Sequence, residues 1–518
     1  MSAEPAADLS QVVLHDRNSS FAMDGSPTRL RRTRWAAFLL LSLFGLALRL
    51  PHLSARPMHT DEAVNAYIVG QLLAGQPFSY DSQDRHGPAL AAFALPLARM
   101  QGAKALSDLT ESELRLTPVL AGIATILLFG AAAEMFGCAP CLIAALLFAC
   151  APLPVYYDRY FIHESLFVAA TFGFILTSWG ACKERSTGQA LLAGVCAALM
   201  VACKETAVLH FSALVAAALC YRLWNLRGTS AGDGWRPKLV VVAAAAFMLL
   251  SVALFTWFGS NWKALAVLPH AVPSLLARAG GEGHQKPFWY FARLLTGGWS
   301  GGMIFALACI GFIQTARKRQ PSPYGFLSFY AFFLAGIYSL VPYKTPWLAL
   351  NLWLPIALFA GLAVVSFWRV PAKHSALRLA IPAFCILVGV FALVLMAHDT
   401  HQRVFADPAG ETNPYAYAHT SEDLLGLPSE IEQMTRQNAI AAPRIAVIAA
   451  DPWPLPWYLR SFPQTGFWQP GQQVGKADFY ITSADAADQH KDQLQNLHPE
   501  FFGVRPGVLI VLWSPTPK

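Results

Sequence analysis

The sequence predicts a polytopic α-helical membrane protein with about eleven transmembrane helices and an extracytoplasmic α/β domain at its C-terminal end. Three observations carry this reading. Only 13% of the 518 residues are charged and 55% are hydrophobic, whereas soluble domains carry roughly 25% charge. Apolar runs long enough to cross a hydrocarbon core of about 30 Å recur between residues 35 and 398. Lys and Arg gather in alternate connections between those runs. A soluble multidomain enzyme and a disordered chain are both excluded.

Residues 1–34 are polar and end in Arg29, Arg31, Arg32 and Arg34, which reads as a disordered cytoplasmic tail. Trp35–Leu50 follows without a small-residue cleavage site and is expected to be an uncleaved signal anchor. Further spans are predicted near 116–136, 138–155, 161–181, 188–203, 206–222, 238–258, 300–316, 324–342, 347–368 and 379–398. With the N-terminus cytoplasmic, Lys183, Arg185, Arg222, Arg227, Arg236, Lys238, Arg317, Lys318, Arg319, Arg369, Lys373 and Arg378 all fall inside. The short outer loops hold only Arg159, Lys204 and Lys344, in keeping with the positive-inside rule. The net charge of +7 therefore reports orientation in a cell inner or plasma membrane, and no nucleic-acid partner is implied.

Two outer loops are long, 52–115 and 259–299. The first contains the apolar stretch Pro88–Met100, interrupted by Pro96 and expected to lie along the interface. The transmembrane domain is expected to cover 35–398 and the soluble tail 399–518. Strand-like runs Arg444–Ala450, Asp478–Thr482 and Gly507–Trp513 alternate there with helix-compatible segments such as Ser421–Gln437, which suggests an α/β domain. The nine cysteines sit in or beside apolar runs and imply no disulfide framework; Cys138-x-x-Cys141 stands alone at a helix junction.

With charges so scarce, the clustered ones are informative. They are His59-Thr60-Asp61-Glu62, then Tyr80-Asp81 through Arg85-His86-Gly87-Pro88, then Tyr157-Asp158-Arg159-Tyr160 with His163-Glu164. Lys204-Glu205 and Tyr343-Lys344-Thr345-Pro346-Trp347 complete the set, and all are predicted at the outer surface. Bland alternatives stand beside several of them. Tyr156, Tyr157, Tyr160, Trp347 and Trp353 suit an interfacial aromatic belt, Lys204-Glu205 a plain ion pair, and His163-Glu164 a helix start. His59-x-Asp61-Glu62 differs, because adjacent carboxylates beside an apolar helix repel one another and suit general-base work.

Carboxylates with a few cations on a lipid-facing scaffold suit transfer of a sugar from a lipid-phosphate carrier. Asp61 is the candidate base, with Glu62 assisting; Arg159, Lys204 and Lys344 are candidates to hold the departing phosphate. His59, Asp81, Arg85, His86, Asp158, His163, Glu164, Glu205 and Tyr343 are candidate binding residues. A divalent cation (Mg or Mn) held by Asp61, Asp158, His163 and Glu164 is a further candidate if the two loops meet.

This arrangement resembles the GT-C superfamily of membrane glycosyltransferases, which includes protein O-mannosyltransferases and the lipid A aminoarabinose transferase. The resemblance implies an Asp of the first outer loop acting on the acceptor, here Asp61, and a second acidic site on the next outer loop. The mannosyltransferase pattern of Arg followed five residues later by an acid is matched by Arg159 and Glu164, with Asp158 a competitor. The motifs and their order also resemble a prokaryotic membrane family labelled "flippase activity-associated", over about 35–515, including Asp451–Arg460 in the tail. The expected partners are a polyprenyl-phosphate-linked sugar, membrane lipid, and a glycan, lipid or protein acceptor. A flippase component for lipid-linked sugars and a non-catalytic envelope scaffold are the alternative readings.

Overall fold

A computed structural model describes residues 27–81, 86–225, 235–280, 284–318, 322–368 and 375–516. Every predicted apolar run is helical. The helices are α1 (Pro27–Arg49), α2 (Thr60–Leu73), α3 (Ala89–Met100), α4 (Glu111–Phe136), α5 (Cys138–Cys150), α6 (Pro152–Tyr157), α7 (Glu164–Glu184) and α8 (Thr187–Cys203). They continue with α9 (Ala207–Trp224), α10 (Pro237–Phe255), α11 (Ala271–Ala279), α12 (Tyr290–Leu295), α13 (Gly298–Lys318), α14 (Pro323–Leu340), α15 (Ala349–Trp368) and α16 (Ser375–Thr400).

Among the described residues, seven helices are long and apolar enough to cross a membrane: α4, α7, α9, α10, α13, α14, and α15 with the 3-10 turn before it. The expected eleven spans are thus seven such helices, with α1, α5, α8 and α16 as the remaining apolar runs. The run 138–155 is not one helix. Ala151 is extended (φ −69°, ψ 146°) because Pro152 crowds it and offers no N–H, so α5 stops and α6 begins. Helix α1 starts earlier than expected, at Pro27; adding residues to an existing helix costs far less than nucleating one, and Arg34 pairs with Glu134 of α4 at 2.8 Å. Helix α3 has 12 residues, about 18 Å, too short to span, as the sequence predicted.

The tail ends in a five-stranded sheet of order β2-β1-β3-β5-β4. Its strands are β1 (Ile445–Ile448), β2 (Thr465–Trp468), β3 (Phe479–Ser483), β4 (His498–Arg505) and β5 (Val508–Ser514). The first three pair in parallel and β5 pairs antiparallel with β3 and β4. The predicted strands are β1, β3 and β5, whose cores are buried. Strands β2 and β4 are the two edges, half exposed and interrupted by Gly466 and Pro499, and so carry weak apolar patterns. A helix, α17 (Leu427–Gln437), fills most of the predicted 421–437 segment.

The first loop is fastened by buried ion pairs. Arg49, at the end of α1, donates to Asp158 at 2.8 Å, and both side chains are fully enclosed. A Cβ on Gly122 would collide with the Asp158 carboxylate, so α4 needs glycine there. Arg115, in the first turns of α4, grips Glu62 of α2 at both carboxylate oxygens (2.8 and 2.7 Å), and its other donors take the carbonyls of Leu53, Arg56 and Pro57. Arg56 lies 3.7 Å from the same carboxylate, and the Phe161 N–H donates to it at 2.8 Å. Burial raises the Glu62 pKa, but Arg115 and Arg56 outweigh it and hold the group down to about 2.

Glu62→Gln would leave Arg115 buried without its counter-charge, at a cost of about 3–5 kcal/mol. The expected readout is a lower Tm of the detergent-purified protein. Because the folded pKa lies below the ordinary 4.5, this stabilisation is present above about pH 4.5 and is lost as pH falls toward 2. Wild type should lose Tm across that window, and Glu62→Gln should lack this component.

Candidate active site

Asp61 lies in the first turn of α2, and the local sequence fixes how that turn begins. His59 is the N-cap: its backbone is extended (φ −71°, ψ 157°), and its Nδ1 accepts the Asp61 N–H at 3.0 Å. Glu62 completes the cap by accepting the His59 N–H at 3.2 Å. Glu62 is thereby saturated with partners, whereas the half-buried Asp61 carboxylate has no hydrogen-bond or ion-pair partner among the described residues. It faces a cavity of about 210 Å³.

Distant segments build the walls of that cavity. Asp61 comes from α2, His86 from the chain before α3, and Lys204, Glu205 and Thr206 from the junction of α8 and α9. Leu275 and Ala279 come from α11, Tyr338 from α14, and Tyr343, Thr345 and Trp347 from the turn that precedes α15. Gly87 allows His86 this position, because a Cβ there would strike the Ala202 carbonyl of α8.

The charges are ordered. Glu205 accepts from the Tyr80 hydroxyl and pairs with His86 Nδ1, each at 2.9 Å. Burial raises its pKa, but the His86 hydrogen bond and charge prevail and bring it to about 2. Lys204 donates to Glu164 at 2.8 Å and stands 5.9 Å over the Trp347 ring. His163 packs 5.3 Å from His86 and donates to the Gly87 carbonyl; burial, with His86 and Lys204 adding to it, pushes its pKa well below the ordinary value. Lys344 is 1% exposed and donates to the carbonyls of Val341 and Lys286; burial lowers its pKa.

Of the residues singled out by sequence, Asp61, His86, Lys204, Glu205 and Tyr343 line the cavity. His59, His163, Glu164 and Lys344 stand behind it and hold the lining in place. Three expectations change. Glu62 is the buried anchor of α2 and presents nothing to the cavity. Asp158 is consumed by Arg49. Arg159 does not clamp phosphate: its guanidinium donates to the carbonyls of Arg49, Pro51 and His52 beyond α1 and lies 4.8 Å over Phe405. A helix end leaves carbonyls without partners, and the arginine fork satisfies them. Asp81 is exposed and does not line the cavity, and Arg85 lies outside the described residues.

The candidate cation ligands do not converge. Asp158 and Glu164 are spent on Arg49 and Lys204, His163 is turned to the Gly87 carbonyl, and Asp61 stands apart from them on α2. No group of three or more His, Cys, Asp or Glu side chains suited to a metal ion occurs among the described residues. These residues do not fit the expected Mg or Mn site.

Sequence reading missed Arg49, Arg56 and Arg115, although an Arg at the edge of an apolar run is itself a signal of a buried ion pair. It also missed Tyr338, Tyr417 and His419, which carry no local motif.

A family model described as Dolichyl-phosphate-mannose-protein mannosyltransferase matches residues 97–257. No curated protein sequence matches the chain. Among solved structures, ArnT from Cupriavidus metallidurans in the apo state superposes with TM-score 0.64 at 15% identity, covering 93% of this chain and 98% of that one. The same protein bound to undecaprenyl phosphate gives 0.61 at 15% identity, covering 92% and 97%. The archaeal oligosaccharyltransferase AglB from Archaeoglobus fulgidus, in complex with an inhibitory peptide and a dolichol-phosphate, gives 0.55 at 12% identity, covering 94% and 74%. Residues 97–257 thus resemble that mannosyltransferase family, and over nearly its whole length the chain shares the fold of ArnT and AglB.

Proposed function

We propose that the protein transfers a sugar from a polyprenyl-phosphate carrier to an acceptor hydroxyl on the outer membrane face, inverting the anomeric carbon, with Asp61 as the base. The observation that carries this is the contrast between neighbouring carboxylates. Glu62, Asp158, Glu164 and Glu205 are each held by a cation or histidine, and Asp61 alone among these faces the cavity with no partner among the described residues. A carboxylate free of partners is open to accept the hydrogen bond of an incoming hydroxyl. Asp61 takes the acceptor proton, the oxygen attacks C1, and the bond from C1 to the phosphate oxygen breaks with its electron pair leaving on the lipid phosphate. Lys204 and His86 on the cavity wall meet the charge that develops there. A single displacement of this kind inverts the centre.

The solved structures of ArnT with undecaprenyl phosphate and of AglB with a dolichol-phosphate support a lipid-phosphate donor. The outer-face assignment rests on the charge pattern: the cavity segments lie between the basic connections, and the tail packs on the same side through Tyr458 and Met58. A cell inner or plasma membrane follows from the same reading.

Asp61→Asn should lower kcat by about 10²–10⁴ with Tm unchanged, assayed with radiolabelled undecaprenyl- and dolichyl-phosphate sugars and a cell-envelope acceptor extract. Full activity of that variant removes Asp61 from the chemistry. Lys204→Met should leave Glu164 buried without its cation and weaken phosphate stabilisation, reducing kcat/KM by about 10–100-fold. An unchanged kcat/KM would remove Lys204 from that role.

A further inference from the structure

The turn that carries Asp61 is held from two sides, and one side is the C-terminal tail. His59 Nδ1 accepts the Asp61 N–H, so the ring proton resides on Nε2, which donates to the Tyr417 carbonyl at 3.0 Å. Next to it, Met58 is gripped at both backbone atoms. Its N–H donates to the Tyr458 hydroxyl (2.8 Å), and its carbonyl accepts from Thr420 Oγ1 (2.7 Å). Tyr417, Thr420 and Tyr458 all belong to the tail, some 358 to 400 residues along the chain from the groups they hold.

The tail segment is itself ordered by a second histidine. His419 Nδ1 accepts the Tyr417 N–H at 2.9 Å, which places its proton on Nε2 facing the Tyr156 hydroxyl, also at 2.9 Å. That hydroxyl donates onward to the Pro408 carbonyl at 2.7 Å. Every donor in this chain meets an acceptor with both imidazoles neutral. The rings of His59 and His419 lie 5.1 Å apart, and both are buried. The Tyr417 side chain reaches the other way, its hydroxyl pairing with His284 Nδ1 at 2.7 Å. His284 accepts the Lys344 N–H through its own carbonyl, and its ring packs at a tilt 4.6 Å from that of Tyr343 on the cavity wall.

We infer that Tyr417–Thr420 is a positioning strap of the proposed transferase, setting the Asp61 turn through His59 and the Tyr343 wall through His284. A helix cap needs only one acceptor for the Asp61 N–H, which Asn or Ser supplies equally well. The Nε2 arm of His59 is surplus to capping, and its use is to tie the turn to the tail. This inference rests on the transferase reading only for its kinetic consequence, since the mechanical coupling stands on the hydrogen bonds.

His59→Asn keeps the cap and removes the arm, while His419→Gln alters the strap, together with its ring contact to His59, and leaves the residues of α2 unchanged. In the purified full chain, backbone amide exchange over residues 60–66 should accelerate about tenfold in each variant, with the double variant no faster than either single. In the labelled-donor assay each single variant should lower kcat about 10–100-fold with donor KM unchanged, the split expected of a misplaced base. Wild-type exchange in His419→Gln, additive effects in the double variant, or a raised KM with unchanged kcat would each overturn the strap. Full activity of Asp61→Asn would instead strike the base assignment, and the exchange data would still decide the coupling.

Discussion

Burying a carboxylate beside a membrane costs several kcal/mol unless a cation meets it with good geometry. The chain meets that demand at Glu62 with the two-pronged grip of Arg115, and much of the site's order depends on that contact. The pair locks α2 to α4, and its spare oxygen capacity closes the His59 cap and accepts the Phe161 N–H. Asp61 is the next residue back from this anchor. Its backbone is therefore fixed while its carboxylate stays free. Two adjacent acids that would repel one another in isolation are separated by environment, one neutralised and enclosed, the other left to the cavity.

The same division of labour runs through the other charged motifs. Arg159 and Asp158 are neighbours in sequence, yet one satisfies the carbonyls beyond α1 and the other the guanidinium at its end. Glu164 and Glu205 both sit near the cavity, one spent on Lys204 and the other on His86 and Tyr80. The tail joins this lattice instead of hanging below it. Its Trp457 indole donates to Glu111 at 2.8 Å, and Arg460 lies 3.8 Å over that indole ring, so the aromatic 451–460 segment docks the domain.

Much of the helical layout was legible because membrane helices announce themselves by length and apolarity, and the basic connections by sign. The break at Ala151–Pro152 and the early start of α1 depended on local backbone chemistry that an apolar window averages away. Strands β2 and β4 escaped notice because edge strands have one face and one flank open. Within the site, the clustered motifs did lead to the cavity, since Asp61, His86, Lys204, Glu205 and Tyr343 all face it. What sequence could not assign was which acid is free and which is bound, because the answer lies with Arg49, Arg56 and Arg115. These are single arginines whose partners are fixed only in three dimensions. The tail's His419 and Tyr417 were invisible for the same reason.

In the proposed reaction one carboxylate, Asp61, drives a single displacement at the anomeric carbon. The anomeric configuration of the product, determined by NMR after transfer from a polyprenyl-phosphate sugar of known configuration, tests it most directly. Inversion is the predicted result. Net retention would require a second displacement and a covalent or otherwise trapped intermediate, and would contradict the claim.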